Sequence, residues 1–254
     1  MTSNDYVLSV IRKHALPAQL DVNTVSYVVN PLKRIISEWA GVCLCETKLS
    51  GSRAKGTAID ISTDIDLFIS LSSTTNNTLK EIYDSLYNWV TSKGISARKQ
   101  NVSIGVTYGG QKIDLVPAKR QGPYGGDHSL YRRKVDSWTK TNIDTHISRV
   151  VNSGRRNEII GLKVWRENHN LTFPSIYLET LVIDALRGRA LDNPSGNIYY
   201  LLGYLRDNIS SLRVVDPANS NNILSDDLTA EEKRIISVQA KNSLAEPYWS
   251  QIIW

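Results

Sequence analysis

Over residues 23–40 apolar positions recur at helical spacing, at Val25, Val28, Val29, Leu32, Ile35 and Ile36, and predict one long amphipathic helix. Residues 42–49 read as a strand that ends in the turn-forming Ser50-Gly51-Ser52. Ile65–Leu71 is a second, strongly apolar strand, and residues 79–90 return to helical spacing. Two further strands are predicted over 102–108 and 112–116. They are joined by Gly109-Gly110, a pair able to take the positive φ of a tight hairpin turn. Residues 119–126, rich in Gly, Pro and charge, read as a loop.

After residue 142 the pattern becomes wholly helical. Ile143, Ile147, Val150 and Val151 share one face until Asn152-Ser153-Gly154 stops that helix. Further helices are expected over 156–167, after Pro174 (carrying Leu178, Leu181, Val182 and Ala185) and over 197–205. The last opens on the capping box of Thr229 and Glu232 and ends near Leu244. The expected architecture is α+β: a mixed-sheet lobe over residues 1–140 that includes the long N-terminal helix, then a helical lobe over 141–254, with a cleft between them.

Composition narrows this only a little. With 254 residues, 41% hydrophobic and 22% charged, the chain is an ordinary globular one. Its net charge of +5 suits a phosphate-rich partner without demanding one. No apolar run is long enough to span a bilayer, and the N-terminus lacks the apolar core of a signal peptide. A protein that is soluble, cytoplasmic and not itself a membrane protein is expected. Cys43 and Cys45, two apart, would share a strand face and cannot pair with each other. His14, His128, His146 and His169 show no zinc-like spacing, so both cysteines are read as reduced core residues.

The chemistry gathers in LSGSRAKGTAIDISTDIDLFISL, residues 49–71. Gly51 and Ser52 follow a strand and open a short helical turn, which offers backbone N–H groups and a hydroxyl to a phosphate. Asp64 and Asp66 are two apart on an apolar strand, so their side chains leave one face roughly 7 Å apart. Two such carboxylates can grip a pair of divalent cations. Asp114, in QKIDLVPA, interrupts another apolar strand; pairing beside the first would bring it to the same ions, where it would accept the proton of, or orient, an attacking hydroxyl. An ionised Asp between Ile, Leu and Phe is costly unless something neutralises it.

Gly-Ser, then Asp-x-Asp, then a lone Asp on a later strand resembles the polymerase-β-type nucleotidyltransferase superfamily. The segments TDIDLFISL, KIDLVPAKR, WTKTNIDTH, LKVWRENHN, PSIYLETLVIDAL and VVDPANSNNIL are similar, in that order, to bacterial cGAS/DncV-like nucleotidyltransferases (CD-NTases). More distantly they resemble archaeal CCA-adding enzymes and oligoadenylate synthases. The resemblance spans residues 49–226 and implies a nucleotidyltransferase palm with a C-terminal helical lobe. It also implies catalysis by Asp64, Asp66 and Asp114 with Mg²⁺, for which Mn²⁺ can substitute. Gly51, Ser52, Lys163, Ser175 and Tyr177 match nucleotide-binding positions. Arg53 and Lys55 would help attract phosphate.

The implied activity is synthesis of an oligonucleotide signal from nucleoside triphosphates, ATP or dATP among them, in bacterial anti-phage defence. A cyclic product acting on a downstream effector protein is the main expectation. The alternatives are a linear oligomer, with DNA primed from Tyr248 and a membrane channel as effector; transfer onto protein or tRNA; and a catalytically dead nucleotide sensor. A minimal nucleotidyltransferase core is expected, without the tRNA-binding tail of CCA-adding enzymes and without a Cys/His insertion like the zinc clasp of animal DNA sensors.

Overall fold

The computed structural model describes residues 1–61 and 64–254. Contacts divide the chain into two units that interleave in sequence. One comprises Pro17–Ala54 and Thr63–Ile147; the other comprises Met1–Leu16, Lys55–Ser62 and Ser148–Trp254. A single boundary near residue 140 therefore does not describe the division. The reason is the N-terminal helix Ser3–His14, opened by a Thr2–Asp5 capping box. It buries Val7, Val10 and Ile11 in the same core as Ile159, Ile160 and Leu162.

The first of these units is built on a seven-stranded sheet. Its strands are β1 (Leu44–Leu49), β2 (Ile65–Leu71), β3 (Ser96–Lys99), β4 (Ile104–Tyr108), β5 (Gln111–Arg120), β6 (His128–Arg132) and β7 (Ser137–Thr141). The order is β1-β2-β5-β4-β3, with β6 pairing the end of β5 and β7 pairing β6. Only β2 and β5 run parallel, and they do so because the Leu79–Ser92 helix and the β3–β4 pair lie between them in sequence. Alternation then sorts the side chains. Ile65, Leu67, Ile69, Ile113 and Leu115 enter one core with Leu32, Ile36, Tyr83 and Leu86, while Phe68, Ala118, Leu130 and Ile143 form a smaller cluster.

The expected helix over 23–40 is present with a defect. Val22–Thr24 and Asn30–Ala40 are α-helical, but Val25–Val29 is a π turn in which Asn30 N–H donates to Val25 C=O. Pro31 follows and has no N–H to return to Tyr27, so the ladder shifts register there. Gly109 and Gly110, at φ +56 and +76, make the expected hairpin turn between β4 and β5. β5 runs on to Arg120, into the stretch read as loop, because Lys119 and Arg120 pair with β6. Cys43 lies in a turn and Cys45 is exposed; both are free, but neither is a core residue. A register shift at Leu44/Glu46 breaks the strand face they were expected to share.

The second unit packs the helices Arg156–Asn168, Ser175–Ala185, Pro194–Asn208 and Ala230–Ala245. It is not wholly helical. β8 (Val215–Asp216) and β9 (Asn219–Ile223) form a small hairpin, whose turn is fixed by the Asp216 carboxylate accepting from Ala218 N–H and Asn222 Nδ2. Its polar sequence hides the usual alternation. Among the described residues, no helix is long and apolar enough to cross a membrane.

Candidate functional site

Asp66 on β2 and Asp114 on β5 stand directly opposite each other in the parallel ladder. Both side chains are half-buried at an interruption of two apolar strands. Asp64 lies immediately before β2 rather than on it, so the pair expected on one strand is one strand residue and one at its entry. Burial pushes the Asp114 carboxyl above its ordinary range, and the charge of Asp64 pushes it further. Hydrogen bonds from Gln100 Nε2 (2.9 Å) and Ser103 Oγ (3.4 Å) oppose that shift. Three like charges near one another, one of them desolvated, could hold a divalent cation. Among the described residues no group of three His, Cys, Asp or Glu side chains is already gathered as a finished metal site.

The turn expected to grip phosphate meets these carboxylates. β1 ends at Leu49, Ser50 N–H donates to Asp66 C=O at 2.9 Å, and Gly51–Ala54 forms one helical turn. Gly51 has φ +59, and a Cβ at this position would lie 1.8 Å from Asp66 Oδ2. Only glycine allows the backbone so close to that carboxylate. Ser52 follows on the same turn and is half-buried. Arg53 is held back, its Nη1 donating to Pro17 C=O at 3.0 Å.

The residues matched in the helical unit are placed differently. Lys163 is buried; its Nζ lies 2.8 Å from Glu179 Oε1 and 3.0 Å from Thr57 Oγ1. Lys55 Nζ takes the other oxygen, Oε2, at 2.7 Å. Lys55 is thus not an exposed cation waiting for phosphate. Burial alone would raise the Glu179 carboxyl, but the two ammonium groups hold it down at about 2. Ser175 Oγ accepts from Arg166 Nη1 at 3.2 Å. Tyr177 is fully enclosed, edge-on to Phe173, with no hydrogen-bond partner for its hydroxyl among the described residues. Tyr248 is 69% exposed, whereas Trp249 packs against the helical core.

Sequence reasoning missed Glu179, Gln100 and Ser103. Glu179 carried the same signal that exposed Asp114, an acid in an apolar segment, here IYLETLVI. Gln100 and Ser103 carried none, since they reach Asp114 only through the fold of the β3–β4 connection.

A mixed sheet bearing paired carboxylates on adjacent parallel strands, with a Gly-Ser turn against one of them, defines a nucleotidyltransferase fold of the polymerase-β type. Comparison with solved structures narrows it to the fold of bacterial CD-NTases. CdnC of E. coli MS115-1, solved with ATP, matches with a TM-score of 0.78 at 19% identity, over 99% of this chain and 97% of that one. The CD-NTase CdnG of Bradyrhizobium diazoefficiens, solved with GTP, matches at 0.76 and 13% identity over 96% and 91%. The Elizabethkingia meningoseptica cyclic dinucleotide synthase CdnE matches at 0.68 and 14% identity over 97% and 100%. In sequence, no family model and no curated protein matches the chain.

Proposed function

We propose that this protein is a Mg²⁺-dependent nucleotidyltransferase that makes a cyclic oligonucleotide from nucleoside triphosphates. The observation that carries the reading is the register of Asp66 against Asp114, with Gly51 backbone in contact range of the first. It is supported by structural neighbours of nearly the same length, one a cyclic dinucleotide synthase and others solved with ATP or GTP.

Asp64, Asp66 and Asp114 would hold the cation, whose chemistry is to neutralise phosphate charge and acidify an attacking hydroxyl. Gly51 and Ser52 place backbone N–H groups beside that site for the donor's phosphates. Gln100 and Ser103 hold Asp114 in place, so that its carboxylate receives the proton of the attacking hydroxyl. Lys163 serves here as a positioning residue. Through Glu179 and Thr57 it fixes the segment that follows the phosphate turn. A cytoplasmic enzyme whose product acts on an effector protein in anti-phage defence follows from the same reading.

The test is incubation of purified protein with Mg²⁺ and each labelled NTP or dNTP, with products resolved before and after phosphatase and protease treatment. A small phosphatase-resistant product is expected. A ladder retained on protein until proteolysis would instead favour linear synthesis primed from Tyr248, the reading that this exposed phenol supports. No turnover of any nucleotide would overturn the proposal.

A further inference from the structure

Four residues form one row across the sheet: Arg98 on β3, Gly105 on β4, Asp114 on β5 and Asp66 on β2. Two positions along, Ser96, Thr107 and Lys112 form a second row on the same face. Gly105 leaves a gap in the first row. A Cβ there would sit 2.6 Å from Gln100 Nε2 and 3.0 Å from Arg98 Nε, so both side chains cross the sheet over this glycine. Gln100 uses the passage to reach Asp114. Arg98 uses it to line a recess of about 240 Å³ together with Lys112, Thr107, Asp64 and Asp114.

Arg98 and Lys112 are both exposed, and among the described residues neither side chain has a hydrogen bond or an ion pair. Two cations that stand beside carboxylates without bonding them are placed to meet another anion. Charge on an edge strand such as β3 also guards against sheet-to-sheet pairing. That role needs no gap at Gly105, because edge charges work by pointing anywhere into solvent.

We propose that Arg98, with Lys112, binds a phosphate of the acceptor, the nucleotide whose hydroxyl attacks the donor. The chain would then extend a phosphorylated nucleotide in preference to a protein hydroxyl. This rests on the function proposed above. In the step itself the acceptor hydroxyl oxygen bonds to the donor's α-phosphorus while the bond from that phosphorus to pyrophosphate breaks. Pyrophosphate leaves with the electron pair, and the hydroxyl proton passes to Asp114. A guanidinium can hold an acceptor phosphate through two N–H groups, which fixes its orientation as well as its charge.

The experiment uses a labelled 2′,3′-dideoxynucleoside triphosphate as donor, because it has no sugar hydroxyl and cannot act as acceptor. Unlabelled nucleoside triphosphate and the corresponding phosphate-free nucleoside are offered as acceptors to wild type, Arg98→Ala, Arg98→Lys and Lys112→Ala. Wild type is expected to favour the phosphorylated acceptor. Arg98→Ala should raise KM for that acceptor about tenfold or more, change KM for the phosphate-free nucleoside far less, and be partly rescued by Arg98→Lys. Lys112→Ala should act the same way to a smaller extent. An active wild type whose acceptor preference survives in both Arg98→Ala and Lys112→Ala would overturn this inference alone. A wild type that transfers to neither acceptor would overturn it together with the proposed function.

Discussion

Lys163 Nζ lies 2.8 Å from Glu179 Oε1, on two helices of one buried core, and Lys55 closes on the same carboxylate from the segment after the phosphate turn. One acid thus holds two lysines out of water, and the three charges do not contribute equally. Removing Glu179 leaves two uncompensated cations in the core, whereas removing Lys55 leaves a matched pair. Glu179→Ala is therefore expected to destabilise the fold by about 3–5 kcal/mol, and Lys55→Ala by clearly less. Thermal unfolding midpoints measure this; equal losses would refute the arrangement.

The same carboxylate sets a pH dependence. Its folded pKa, about 2, lies below the ordinary 4.5, so the unfolded chain binds more protons between those values. The stabilisation is complete above about pH 4.5 and is lost as pH falls from there toward 2. Comparing wild type with Glu179→Gln from about pH 5.5 to about pH 3 should show a steeper loss in the wild type. Parallel curves would contradict it.

Gly51→Ala asks for a methyl group 1.8 Å from Asp66 Oδ2, in a backbone conformation at φ +59 that alanine resists. The turn must shift away from the carboxylate. We expect nucleotide turnover to fall by at least about a hundredfold, as a misplacement near 1 Å can do. The cost in stability should be only about 1–2 kcal/mol. Pyrophosphate release and a melting curve on the same sample separate the two effects.

Asp114→Asn should divide activity from stability. Burial and Asp64 disfavour the charged carboxylate, so a neutral amide is expected to leave the metal-free fold as stable or more stable. Turnover should disappear, and so should the rise in melting temperature that Mg²⁺ gives the wild type through binding. A variant that melts lower without Mg²⁺ would show that Asp114 is chiefly structural.

Tyr248→Phe is expected to leave synthesis unchanged, with no nucleotide attached to the protein in either form. Trp249 beside it packs on the helical core, and nothing in the proposed reaction needs the phenol. Loss of synthesis, or label on the wild-type protein released only by protease, would establish priming from this residue.

Much of the candidate site was legible in the sequence because its residues break local rules. Asp66 and Asp114 stand out as acids in apolar strands, and Gly51-Ser52 as a turn after one. Such violations are visible without coordinates because burial of charge is costly wherever the strand packs. Periodicity likewise gave β2, the β4–β5 hairpin and the long helices, whose buried faces repeat cleanly. It missed β3, which is short and mostly exposed, and the β6–β7 and β8–β9 pairs, which carry charged or polar residues where alternation was sought.

What only the tertiary structure decided is partnership. The sequence determined that Asp66 and Asp114 sit on strands; strand order and parallel register determined that they face each other. Lys163 and Glu179 are sixteen residues apart on different helices, and no local pattern shows that one neutralises the other. Arg98 lies in line with the carboxylates only because β3 pairs β4 in a register that puts Gly105, without a side chain, between them. Periodicity reports which side of an element is buried, because burial repeats along the chain. Which groups then meet depends on pairing across the fold, where residues distant in sequence share one dry space and must match in charge and volume.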